Sequence, residues 1–126
     1  MADPAADLEF ESLTPTHWAA IGLAAVTAAV HLLLGLSFLP HWMGGAFLVA
    51  TAGFLLGLWF VLTDRRRRLV YLVGIPFTGA QILLWYVVNE PTGIADVTVA
   101  GAVDKVAQTL LIVALVVLLA RGEREP

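Results

Sequence analysis

The stretch Trp42–Leu62, WMGGAFLVATAGFLLGLWFVL, carries no charge, and across residues 46–60 it is apolar on every side of a helix. A helix of a water-soluble bundle turns one face to solvent and shows a polar stripe there. This one has none, so its outer face must meet lipid. Its length agrees, because an α-helix rising ~1.5 Å per residue needs ~20 residues to cross a ~30 Å hydrocarbon core.

Three more runs of that kind flank it, at residues 17–38, 69–88 and 100–120. The chain therefore reads as all-α, a four-helix transmembrane bundle with antiparallel up-down-up-down order. The expected organisation is an acidic tail at 1–13, a transmembrane domain at 14–120 and a short charged tail at 121–126. Helices are expected at 16–39, 42–63, 69–88 and 98–120. Composition supports this: 60% of the residues are hydrophobic and 13% charged, against roughly 45–50% and 25% in globular chains. With four spans in 126 residues, no soluble domain fits.

The absence of cysteine excludes disulfides, thiolate metal sites and cysteine nucleophiles. His17, His31 and His41 match no zinc spacing, so no metal is expected. The first residues carry Asp3, Asp7, Glu9 and Glu11 without a base, unlike the positive start of a signal peptide. They read as a mobile acidic extension.

Local signals mark the helix ends. Thr14-Pro15 is a hydroxyl N-cap followed by proline at the first helical position. Pro40 stops helix 1, leaving only a tight turn before helix 2. Asn89 to Gly93 is turn-forming, and helix 4 has three candidate starts, capped by Asp96, capped by Thr98, or near Gly101. Pro76 should kink helix 3, and Trp18, Trp42, Trp85 and Tyr86 sit where interface anchors belong.

Arg65, Arg66, Arg67, Arg68, Arg121 and Arg124 fall on one side of the four-span arrangement, and only Lys105 lies near the other. The positive-inside rule then places both termini in the cytoplasm of a multi-pass cell-membrane protein. The four consecutive arginines also suit contact with phospholipid headgroups.

Small residues mark helix contacts in lipid, where apolar surface alone drives no association. Helix 2 carries Ala46, Ala50, Gly53 and Gly57, and helix 1 carries Ala24, Ala28 and Gly35. His31 continues the helix 1 stripe and should point inward. Tyr71, Gly74, Thr78, Gln81 and Trp85 form the matching stripe on helix 3, and Asp104, Gln108, Leu111 and Leu115 that on helix 4. Counted from the outer ends, His31, Thr51, Gln81 and Gln108 all lie ~10–14 Å deep. Unpaired polar groups in hydrocarbon cost several kcal/mol, so these should find one another. Asp104 should line the mouth above them, with Lys105 reaching out to headgroups.

Two readings of that layer stand. It is an interhelical lock in a non-enzymatic membrane module or accessory subunit, or it is an outward-opening site of a small transporter or redox module associated with quinone or haem. In the second, His31 is the titratable member. The fourteen-residue spacing of His17 and His31 suits stacked haems, but no second helix supplies two more histidines. No cofactor is therefore expected. Without a nucleophile–base pair or a phosphate loop, an enzyme is disfavoured. The expected partners are the lipid bilayer and a second copy or larger membrane complex, not nucleic acid.

The stretch from Tyr71 to Gln81, Tyr-Leu-Val-Gly-Ile-Pro-Phe-Thr-Gly-Ala-Gln, with Asp104-Lys105 and Gln108 downstream, resembles a family of small four-span membrane proteins of halophilic archaea. The resemblance covers most of the chain and implies four spans and an archaeal membrane. It implies no activity.

Overall fold

A computed structural model describes residues 8–122. Its helices are α1 (Pro15–Phe38), α2 (Trp42–Leu62), α3 (Arg67–Asn89) and α4 (Val99–Ala120), with 3-10 turns at Phe10–Ser12 and Ile94–Asp96. There is no strand among the described residues. All four helices are long and apolar enough to cross a membrane, and they form an antiparallel bundle.

The helix starts are built by side chains. Thr14 and His17 form a reciprocal capping box, with the Thr14 N–H donating to His17 Nδ1 at 3.0 Å and Pro15 at the first position. His41 Nδ1 accepts from the Met43 N–H at 3.1 Å to open α2. Of the three candidate starts of α4, Thr98 is the cap, taking the Gly101 N–H on its hydroxyl at 3.0 Å. Asp96 instead closes the preceding loop by accepting from both the N–H and the hydroxyl of Thr92. α3 runs unbroken through Pro76.

α1 and α2 make a tight hairpin. Gly35 and Gly44 face each other there so closely that a Cβ on Gly44 would stand 2.7 Å from the Gly35 carbonyl oxygen. The buried stripe of α2 runs through Gly44, Thr51, Phe54 and Val61. Of the expected small-residue stripe, Ala50 is buried with them and Ala46 is exposed, a correction at that one position. Gly53 and Gly57 look toward α3 instead, Gly53 against the Phe77 ring and Gly57 toward Val70. Ala24 and Ala28 are buried on α1. α1 also packs on α4, and α4 on α3, whereas α2 and α3 touch only sparingly.

α3 begins two residues earlier than its apolar run, and the reason is Arg67. Its side chain folds back and donates from Nε and Nη2 to the Val61 carbonyl, at 2.9 and 2.7 Å. Nη2 also donates to the Ser12 hydroxyl at 2.9 Å, while Nη1 stands 3.3 Å from Asp64. The carbonyls in the last turn of a helix lack partners within it, and Arg67 supplies one. The Glu9 N–H supplies another by donating to the Leu62 carbonyl at 2.8 Å. Arg67 is thus 3% exposed, which removes it from the expected headgroup contacts, whereas Arg65, Arg66 and Arg68 are exposed. Residues 9–12, expected to trail freely, are likewise tied to the end of α2. Residues 1–7 and 123–126, with most of both expected tails and Arg124, lie outside the described residues.

The burial pattern is that of a membrane protein. Leu33, Val49, Leu83 and Val106 are among many large apolar side chains on the outer surface. Three of the five largest fully enclosed side chains are polar, namely Gln108, Thr27 and Thr78. With lipid outside, the interior is where polar groups can be satisfied.

Candidate functional site: a polar cluster across three helices

Asp104 lies five residues inside α4, ~8 Å below its start, and is 4% exposed. A carboxylate placed there needs a counter-charge and hydrogen bonds, or its burial is prohibitive. It has both. Lys105 Nζ donates to Asp104 Oδ2 at 2.6 Å. Across the helix interface, the Thr27 hydroxyl on α1 donates to Asp104 Oδ1. His31 Nδ1 stands 3.6 Å from the same oxygen.

His31 sits one helical turn after Thr27, and its Nδ1 is 2.8 Å from the Thr27 carbonyl. That neighbour can only accept, so Nδ1 carries the hydrogen and donates to it. The imidazole is held from the far side by the Phe47 ring, edge-on at 5.4 Å, and by Phe54 at 5.7 Å.

The cluster continues to α3. Lys105 Nζ also donates to Gln108 Oε1 at 2.7 Å, and Gln108 Nε2 donates to Gln81 Oε1 at 2.9 Å. Gln81 Nε2 then donates to the Phe77 carbonyl one turn earlier at 3.1 Å. Lys105 Nζ lies 5.9 Å from the centre of the Trp85 ring, within cation–π range. One continuous chain of hydrogen bonds thus runs from α3 through α4 to α1, holding one negative and one positive charge.

His31, Asp104, Gln108 and Gln81 come together in this chain, Asp104 lying five residues from its helix end and the other three seven to nine residues from theirs. Asp104 is the link between the histidine and the glutamines. Lys105 does not extend to the headgroups as expected; it turns inward because the buried carboxylate attracts it more than water does, and its side chain is 16% exposed. Thr51 stands apart on the α1–α2 seam, donating to the Phe47 carbonyl at 3.0 Å and facing the Ala28 carbonyl at 3.4 Å.

Sequence reasoning overlooked Thr27 and the burial of Arg67. Thr27 had a signal, since it precedes His31 by one turn and shares its face. Arg67 had none, because a run of four arginines does not say which one turns inward. His17, weighed as a haem ligand, serves as a helix cap. No group of three or more metal-ligating side chains occurs among the described residues.

The chemistry open to this arrangement is hydrogen bonding, ion pairing and proton exchange. Comparisons with family models, with curated proteins and with solved structures find no match to this chain.

Proposed function

We propose that the protein is a non-enzymatic membrane module, an accessory subunit whose α1, α3 and α4 are locked by the Asp104 cluster. The observation that carries this reading is the full engagement of Asp104. One carboxylate oxygen takes the Thr27 hydroxyl and the other the Lys105 ammonium. A substrate or ion would have to displace intrachain partners from both. A rigid bundle with an apolar outer surface on all sides suits service beside other membrane proteins.

A second reading is favoured by the approach of His31 to Asp104. A histidine beside a buried carboxylate can take up a proton from the outer side and return it, as in a small transporter or redox module. In both readings the proposed orientation has the termini on the cytoplasmic side of a cell membrane, and the positive-inside rule applied to Arg65, Arg66, Arg68 and Arg121 supports it. The resemblance to four-span proteins of halophilic archaea belongs to the same proposal and would make that membrane an archaeal one.

Purification in mild detergent followed by native electrophoresis tests the accessory role. The expected result is migration in a complex larger than the chain itself, with a defined second component. Asp104→Asn should loosen the bundle by leaving the Lys105 ammonium without its counter-charge. A monomer throughout, with proteoliposome proton flux lost in His31→Gln and folding intact, would overturn the module reading for the transport one.

A further inference from the structure

Asp104 offers one negative charge to two basic neighbours. Lys105 Nζ holds its Oδ2 at 2.6 Å, and His31 Nδ1 stands 3.6 Å from its Oδ1. With the imidazole neutral, Asp104 and Lys105 cancel, and the cluster carries no net charge. α2 meets the cluster with Phe47 and Phe54, and α3 meets it with Gln81 and Trp85. None of these four titrates or carries charge, so the competition for the carboxylate lies between His31 on α1 and Lys105 on α4.

His31 Nδ1 already gives its hydrogen to the Thr27 carbonyl, which leaves Nε2 with the lone pair that takes a further proton. Nε2 has no hydrogen-bond partner among the described residues. It is not sealed in either, since Thr78 Oγ1 is the one unpartnered side-chain atom there that is fully enclosed. A proton on Nε2 sets two buried cations against a single carboxylate. An uncompensated buried charge is strongly destabilising, so one cation has to leave. The two are not held equally. The His31 side chain is 6% exposed and packed against Phe47 and Phe54. That of Lys105 is 16% exposed. It starts six residues inside α4, ~9 Å from the helix end, on a flexible stem that can carry the ammonium back toward water.

We propose that the cluster is a proton-operated switch, in which protonated His31 becomes the counter-ion of Asp104 and Lys105 swings out toward the α3–α4 loop. Charge balances, because one cation enters the cluster as the other leaves. The exchange breaks the 2.7 Å bond from Lys105 to Gln108 and so cuts the hydrogen-bond chain between Asp104 and the two glutamines. The inference rests on the second reading above in taking His31 as the group that gains a proton. It does not require that the proton cross the membrane.

Lys105 is the chain's single lysine, so isotope-labelled lysine reports on it by NMR without assignment. Detergent-solubilised protein carrying labelled lysine and histidine is titrated from about pH 8 to 5, the range in which imidazoles change charge. The lysine side-chain signal is expected to shift toward that of free lysine, with the same midpoint as one imidazole. That imidazole should be the one missing from His31→Gln, and in this variant the lysine signal should stay in place. Should His31→Gln fail to fold, the remaining proteins decide: a lysine midpoint shared with no imidazole, or only with one lost in His41→Gln, overturns the switch. A stationary lysine in the wild type overturns it, as does an equal shift in His31→Gln through protonation of Asp104 itself. Lysine release without proton flux in proteoliposomes supports the switch and removes the transport reading. Flux with a stationary lysine does the reverse.

Discussion

The hydroxyl of Thr27 on α1 donates to the carboxylate of Asp104 on α4, seventy-seven residues further along the chain. That bond joins the first and last helices at the point where Lys105 supplies the balancing charge. Asp104 and Lys105 therefore act as one neutral unit inside the bundle. Lys105→Met leaves the carboxylate buried without its counter-charge and should cost about 3 kcal/mol. Asp104→Asn with Lys105→Met should cost clearly less than Lys105→Met alone. Thermal unfolding of the three variants in one detergent measures the coupling.

The closest helix crossing lies at Gly44, not at the GxxxG of Gly53 and Gly57. A methyl group on Gly44 runs into backbone of α1, which cannot swing aside as a side chain can. Gly44→Ala should lower stability by about 1–3 kcal/mol. Gly57→Ala, in ordinary contact with Val70, should change the melting temperature little.

Arg67 differs from its three neighbours. Arg67→Gln removes the donors that hold the Val61 carbonyl and the Ser12 hydroxyl, and should destabilise by about 1–3 kcal/mol. Arg65→Gln and Arg68→Gln, on the exposed side, should leave stability nearly unchanged. Limited proteolysis of the α2–α3 turn gives a second reading of the same difference, with faster cleavage expected only for the Arg67 variant.

Single cysteines at Arg121 and Thr92 lie at opposite ends of the bundle, and both positions are exposed. With six of seven basic residues on one side, an impermeant maleimide added to intact cells should label Thr92→Cys alone. Labelling of Arg121→Cys from outside would reverse the orientation.

The loop between α3 and α4 carries a pH dependence of known sign. Hydrogen bonds from the Thr92 hydroxyl and N–H hold the Asp96 carboxyl below the usual aspartate range. A depressed carboxylate contributes order above its unfolded pKa and loses it as pH falls through the folded value. The loop should accordingly loosen only in acid. An NMR titration should show the Asp96 midpoint rising in Thr92→Ala, because the largest cause of the shift is gone.

Four spans, their approximate limits and the inward faces of α1, α3 and α4 were legible in the chain itself. Run length against bilayer thickness is a one-dimensional comparison, and helical periodicity places residues on a face without knowledge of neighbours. His31, Gln81, Gln108 and Asp104 stood out for the same reason, since a polar group deep in an apolar run has few places to go. Which of them meet was decided only in three dimensions. Asp104 draws Lys105 inward because the carboxylate is enclosed by α1, and that enclosure depends on helix rotation. Arg67 is buried because the end of α2 and residues 9–12 offer acceptors at its level. The sparse contact between α2 and α3 is likewise a property of the packed bundle and of no single helix.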